Sequence, residues 1–321
     1  MNNKILVILL ALVPAALWAQ FAPEAGMPGT TAMHADSSAF VAWATGCTVS
    51  RGPQQIDNPS LGLASYGADA DALGKADNTV VSLGDGGEAL LTFASPICNL
   101  AGPDFAVFEN AFHSAPHCFL ELAFVEVSSD GEHYFRFPAV TRVPADEQMD
   151  SFGVMDATMI HNFAGKYEVY YGTPFDLDEV ADDPLLDKNS ITHIRLIDVV
   201  GNIDPEYATY DAEGHVVNDP FPTPFWSSGF DLDAVGVIHD LAHNDVAENE
   251  LVDISIYPNP VSNKLFVKGD KIETVMVLNV VGQQLTTTTE PVLEVGDLPS
   301  GIYFVRIVSD GKTTVKRFVK Q

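Results

Sequence analysis

The stretch Ile197–His239, IDVVGNIDPEYATYDAEGHVVNDPFPTPFWSSGFDLDAVGVIH, decides how the rest of the chain is read. One apolar run enters it (Ile194, Leu196, Ile197, Val199, Val200) and another closes it (Phe230, Leu232, Val235, Val237, Ile238). Both read as buried strands. Between them lies a connection of about thirty residues, and a loop that long in a compact domain is a binding loop or a disordered one. Tyr207, Tyr210, Phe221, Phe225 and Trp226 give it too much aromatic surface for disorder. It also falls in a run without Lys or Arg from Leu196 through Asn263.

Upstream, the pattern is strand and turn. Thr79–Leu83 and Ala89–Phe93 flank Gly84-Asp85-Gly86-Gly87, a turn that supplies the positive φ a hairpin needs. Asp104–Asn110 alternates, with Phe105, Val107 and Glu109 on one side. Phe119–Ser128 alternates more cleanly, and Glu121 and Glu126 are expected where one face opens to water. His133–Phe137 and His193–Val200 read as further strands. Tyr167–Tyr171 reads as a short strand ended by a Gly172-Thr173-Pro174 turn, and Asp176–Leu186 is the one acceptable helix. Short strands, Gly/Asp/Pro turns and almost no helix predict an all-β protein built on a β-sandwich. Residues 20–243 form this acidic domain and 244–252 a polar linker. From 253 to 321 seven short strands predict a small immunoglobulin-like β-sandwich.

The net charge is −28, and it is uneven. From Val252 onward eight Lys/Arg face seven Asp/Glu, whereas residues 5–251 carry seven basic against 37 acidic residues, a net of −30. Such a surface repels phosphate backbones and anionic membranes, which excludes nucleic-acid binding. At the N-terminus, Lys4 precedes an apolar core, Ile5–Leu12, and Ala15-Ala16-Leu17-Trp18-Ala19 ends on a small residue. Residues 1–19 therefore read as a secretory signal peptide, and no later run is long enough for a transmembrane segment. In an exported protein two of Cys47, Cys98 and Cys118 could pair. Cys98 and Cys118, flanking one strand and its following loop, are the preferred partners.

Ile256-Tyr257-Pro258-Asn259-Pro260, Val277–Leu285, Leu298-Pro299-Ser300-Gly301-Ile302-Tyr303-Phe304 and the basic ending Lys316-Arg317-Phe318-Val319-Lys320 carry a resemblance. In this order they resemble the C-terminal sorting domain of the type IX secretion system of Bacteroidetes. The resemblance implies the type IX secretion machinery as partner, and a protein secreted or attached to the outer-membrane surface after periplasmic transit. The larger domain is more loosely similar to uncharacterised bacterial cell-surface proteins with a galactose-binding-like jelly roll. It shares Val81-Ser82-Leu83-Gly84, Gly102-Pro103-Asp104-Phe105, Val107-Phe108-Glu109-Asn110, Glu126-Val127-Ser128 and the Phe230–His239 strand. It departs at Lys75-Ala76-Asp77-Asn78, where such modules often carry Pro-Asp-Gly. The likeness implies a jelly-roll-like β-sandwich in which Asp233 takes the place of a calcium-ligating Asp.

Asp231 and Asp233, two apart on a strand, share one face. With Asp198 and Asp204 they form the candidate metal set, because calcium takes six to eight oxygens and no local cation neutralises these acids. Trp226, Tyr210 and Phe225 are the candidate ligand-stacking residues; most other loop aromatics are expected to fill a small core beneath it. His239 and His243 have the spacing of zinc-protease ligands but no third ligand. His113, His117 and Cys118 lie in a Pro-containing loop that reads more simply as structure than as a metal site. There is no nucleophile elbow, since Gly62–Gly67 has the wrong spacing. These residues predict a non-catalytic exported protein that binds a carbohydrate or another extracellular ligand, with structural calcium. The alternatives are a secreted hydrolase using paired carboxylates, or surface capture of a nutrient such as a corrinoid.

Overall fold

The computed structural model describes residues 21–243, 254–269, 271–279, 284–309 and 312–321. The signal peptide and the linker read from the sequence lie outside the described residues. The chain divides into two compact units, Met1–His243 and Asn244–Gln321. Among the described residues no helix is long and apolar enough to cross a membrane.

In chain order the first unit forms β1 (Met33–His34), β2 (Ala42–Trp43), β3 (Gly46–Ser50), β4 (Val81–Ser82), β5 (Glu88–Ile97) and β6 (Phe105–Glu109). Then come a hairpin of β7 (Phe112–Ser114) and β8 (His117–Phe119), β9 (Ala123–Ser128), β10 (Phe135–Arg136) and the paired β11 (Val140–Thr141) and β12 (Ile160–His161). The series ends with β13 (Tyr171–Phe175), β14 (Ile191–Asp198) and β15 (Asp231–Val237). One sheet runs β1-β13-β6-β15-β2, with β4 also on β15; the other runs β10-β9-β14-β5-β3. All these pairings are antiparallel.

Period-two alternation explains how the two sheets close on each other. Ala123, Val125 and Val127 of β9 and Leu91 of β5 enter one core with Phe105 and Val107 of β6 and Val235 and Val237 of β15. Each large apolar side chain withdrawn from water in this way contributes about 1.5–3 kcal/mol. Phe124, on the other face of β9, packs instead with Leu120, Leu122, Phe163, Val199 and Val217 in a second cluster. Val199 and Val217 belong to the long connection between β14 and β15, so that loop is carried down onto the sandwich by its own apolar residues. Phe108 and Ala234 join a third cluster with Phe40 and Trp43, which covers the opposite face of β6 and β15. This double cover explains why every residue of β15 is buried.

Three local expectations are corrected. Gly172-Thr173-Pro174 is strand, not turn: Thr173 pairs with Val107 and Pro174 with Ala106. Gly172 fits because a β-carbon there would meet the Phe108 ring at 2.8 Å. Pro174 is tolerated because β1 pairs only with Tyr171 and Gly172, so no ladder partner on that side calls for the N–H it lacks. The expected helix at 176–186 shrinks to a 3-10 turn, Leu177–Glu179, capped by Asp176; Pro184 prevents its continuation. Finally, Glu121 and Glu126 are both buried. Glu126 sits between Arg136, 2.8 Å away, and Arg195, whose Nε donates at 2.8 Å.

The second unit forms β16 (Ser255–Tyr257), β17 (Lys264–Lys268), β18 (Ile272–Leu278), β19 (Gln284–Thr288), β20 (Val292–Glu294), β21 (Gly301–Ser309) and β22 (Lys312–Lys320). Sheets β16-β17-β20 and β19-β18-β21-β22 share a core of Leu265, Val267, Val275, Val277, Val305, Ile307 and Phe318. The seven strands match the small sandwich expected from the sequence. No disulfide joins Cys98 to Cys118. Cys98 follows β5 and donates its backbone N–H to the His239 carbonyl, whereas Cys118 lies on the β7–β8 hairpin and packs with Leu120 and Met155.

Candidate functional site

The long loop begins and ends at one carboxylate. Asp198, at the end of β14, accepts the N–H of Gly86 at 2.8 Å and that of Phe230 at 2.6 Å. Gly229 (φ +70°) passes so close that a β-carbon there would meet Asp198 Oδ1 at 2.7 Å. Within the loop, Asp211 accepts the N–H of Thr141 at 2.9 Å, and Asn218 donates to the carbonyls of Pro144 and Glu147. The loop is therefore tied to the 139–149 segment along its length, and its last turn is delivered beside the ends of β6 and β8.

There it forms one wall of a cleft of about 200 Å³, lined by Asn110, Phe112, Phe119, Glu121, Ser151, Phe152, Thr223, Phe225, Ser227 and Asp231. The aromatic rings follow one another in contact. Phe112 and Phe119 stack at 5.0 Å, Phe119 meets Phe152 at 6.0 Å, and Phe152 meets Phe225 at 6.0 Å. Phe152 is 65% exposed and Phe112 48%. Trp226 is also 65% exposed; its ring lies 6.2 Å from that of Tyr66, while its carbonyl is pinned by the N–H groups of Ser65 and Tyr66.

The cleft floor is acidic and continues inward. Asp231 accepts from Ser82 Oγ and, at 2.9 Å, from Asn110 Nδ2. Glu109 accepts the N–H of Ala111 with one oxygen, and its other oxygen is buried without a partner. Asp219 is in the same condition: one oxygen accepts from Leu122 N–H at 3.3 Å and the other has none. Burial, then the charge of Asp231, pushes the Glu109 and Glu121 carboxyls well above the ordinary range. Burial pushes Asp231 up to about 6, against the opposing effect of its Ser82 and Asn110 bonds and of Arg51. Arg51 is itself committed to the carbonyls of Tyr66, Gly67 and Ser82.

Crowded buried carboxylates with unused oxygens must take up either protons or a cation. In charge and donor type, Glu109, Glu121 and Asp231 fit a hard cation such as calcium. Their oxygens are more widely spaced than in a closed cage, since among the described residues no three acids bring ligand atoms within 4.8 Å of one another.

The acids singled out in the sequence are dispersed. Asp231 faces the cleft and Asp198 clamps the loop. Asp233 accepts the N–H groups of Asp77 and Asn78, each at 3.1 Å, and Asp204 is exposed and caps its own turn through Glu206 N–H. A β-bulge between Leu232 and Ala234 shifts the register at Asp233, so Asp231 and Asp233 do not share one face as the two-residue spacing predicts: Asp231 meets Ser82 and Asn110, Asp233 meets Asp77 and Asn78. Of the loop aromatics, Phe225 lines the cleft, Trp226 flanks it, and Tyr210 is exposed on a separate bridge with Val216. Phe221 is buried. His239 and His243 pair with different carboxylates, Asp104 at 2.8 Å and Asp240 at 3.0 Å. Glu109, Glu121, Phe112, Phe119 and Phe152 were not selected as site residues from the sequence. For all but Phe152 the available signal is the string of acids and aromatics in 105–126, where strand alternation points the aromatics to packing and Glu121 to water.

The comparisons with known proteins bear on the second unit, whose strand order and core are described above. Residues 255–321 match a family model described as a secretion system C-terminal sorting domain. This tail is a sorting domain. A chain carrying it is secreted or attached to the outer-membrane surface. No curated protein matches the chain. Among solved structures, the BSP domain of a biofilm associated protein is similar with a TM-score of 0.17 and 12% identity, over 89% of this chain and 52% of that one. The chain thus spans about half the length of that structure.

Proposed function

We propose that the first unit is a non-catalytic carbohydrate-binding module, carried to the cell exterior by the sorting domain. The observation that supports it best is the row Phe112–Phe119–Phe152–Phe225 standing beside a floor of Asn110, Ser151, Thr223, Ser227, Glu121 and Asp231. A sugar ring has an apolar C–H face and an equatorial rim of hydroxyls. Aromatic side chains receive the first, and amide, hydroxyl and carboxylate groups receive the second. Phe112, Phe152 and Phe225 are exposed, with Phe119 buried between them; scattered single hydrophobics need no explanation, but exposed aromatics grouped at a cleft and edged by polar groups mark a binding site. At about 200 Å³ the cleft is smaller than the 300–1,000 Å³ of a pocket that engulfs a drug-sized ligand. That size favours one terminal ring over an enclosed oligosaccharide.

The proposal includes a calcium ion drawn in by Glu109, Glu121 and Asp231, which would neutralise the floor and stiffen the cleft. Calorimetry on metal-stripped protein is the test, with binding heat and a raised melting temperature on adding calcium expected. Absence of both removes the ion and leaves the sugar site standing. A glycan array probed with the secreted protein tests the site itself.

A second reading has one observation in its favour: Glu121 and Asp231, both with raised proton affinity, line the same cleft. That pairing also suits a glycoside hydrolase. Release of reducing sugar from a bound polysaccharide, lost in Glu121→Gln, would replace the binding reading with that one.

A further inference from the structure

A second cluster lies apart from this cleft, on the β7–β8 hairpin and the segment that precedes β1. His113 and Cys118 are directly opposed across the hairpin, with Nδ1 and Sγ 3.9 Å apart. Glu24 approaches from the N-terminal segment, and the ligand atoms of Glu24, His113 and Cys118 all lie within 4.8 Å of one another. They open onto a cavity of about 240 Å³, shared with Met27, Lys166 and Glu168. Glu24 is held from outside by His117, whose Nδ1 lies 3.1 Å from Glu24 Oε1, leaving Oε2 without that contact. The Cys118 carbonyl accepts from Met155 N–H at 2.8 Å, which fixes the strand under the thiol.

We propose that Glu24, His113 and Cys118 form a three-ligand site for a divalent zinc ion, with a fourth position open to the cavity. A set of one carboxylate, one imidazole and one thiolate is of borderline softness, which suits zinc better than calcium or magnesium. Three protein ligands with one open position is the arrangement of zinc sites that admit water or a small ligand. Binding exchanges the Cys118 S–H bond for a metal–sulfur bond and releases one proton; nothing is oxidised or reduced. His117 acts by orienting Glu24, as outer partners of metal ligands do.

The test is titration of the reduced, full-length protein with cobalt(II), an optical stand-in for zinc. The expected result is a thiolate-to-cobalt charge-transfer absorption that saturates at about one equivalent and is displaced by zinc. It should vanish in C118S and persist in C47S. His113 is exposed, so His113→Ala should keep the fold, checked by circular dichroism, while weakening cobalt binding by roughly tenfold or more. His117→Ala should weaken it by roughly 10–100-fold. Folded wild-type protein without the absorption, absorption surviving in C118S, or unchanged affinity in His113→Ala would each overturn the site.

Discussion

Asp198 and Phe230, at opposite ends of the long loop, are joined by a 2.6 Å hydrogen bond from the Phe230 N–H to the Asp198 carboxylate. The same carboxylate holds Gly86 in the turn before β5. One side chain thus fixes where the loop starts, where it ends and which turn it abuts. The sequence nominated Asp198 as a metal ligand; its bonds make it a loop clamp. Asp198→Ala would leave two N–H groups without their acceptor, each costing about 1–3 kcal/mol. Urea denaturation should show a loss of about 2–6 kcal/mol, and Gly229→Ala, which strikes the same carboxylate, should also destabilise.

Asp85 predicts a pH dependence. It is buried in the turn before β5, accepts the Ile56 N–H at 2.7 Å, and burial pushes its carboxyl up to about 7. The folded form therefore keeps its proton in a range where the unfolded chain has lost it. From about 4 to about 7 this group removes stability as pH rises, by up to about 1.4 kcal/mol per pH unit. Above about 7 both forms are ionised and the slope from this group ends. Asp85→Asn retains an acceptor for Ile56 and should flatten that part of the stability profile, measured as urea midpoints from about pH 4.5 to about pH 8.

Asp233 and Trp226 should separate stability from binding. Asp233 accepts two backbone N–H groups near the start of the segment leading to β4, so Asp233→Ala should lower stability by about 2 kcal/mol. Trp226 is mostly exposed, and Trp226→Ala should stay within about 0.5 kcal/mol of wild type. A large stability loss in Trp226→Ala would mean that the ring is structural rather than free to meet a ligand.

The sorting domain predicts where the protein goes. Deleting residues 255–321 should leave the first unit inside the cell envelope, whereas the full chain reaches the surface or medium. Fractionation with an antibody to the first unit measures this directly.

Much of the fold was legible because it is written in local alternation. β6 and β9 send alternate side chains to different apolar clusters, Val107 and Val125 to one, Phe108 and Phe124 to others. In the tail, buried Tyr303, Val305 and Ile307 alternate with the more exposed Ile302, Phe304 and Arg306. What alternation does not carry is which acid will be covered from afar. Glu121 reads as a solvent-facing position ahead of β9, yet it is buried, and the neighbouring Leu122 N–H is taken by Asp219 from far along the chain. Phe152 sits in a stretch without strand or helix signals, and its contacts with Phe119 and Phe225 reveal its place in the cleft. Gly172 reads as a turn residue because glycine is common in turns. Its actual reason is the Phe108 ring beside it, which no local pattern announces.

Sugar binding in the cleft beside Phe152 and Phe225 is tested most directly by titration calorimetry. The full-length protein is titrated with the best ligand from a glycan array that includes cobalamin as a control. Wild-type protein should bind the glycan, and Phe152→Ala and Phe225→Ala should each weaken binding by roughly five- to tenfold, the loss expected for one stacked ring worth about 1–1.5 kcal/mol. Unchanged affinity in both folded variants, or binding of cobalamin and no glycan, would contradict it.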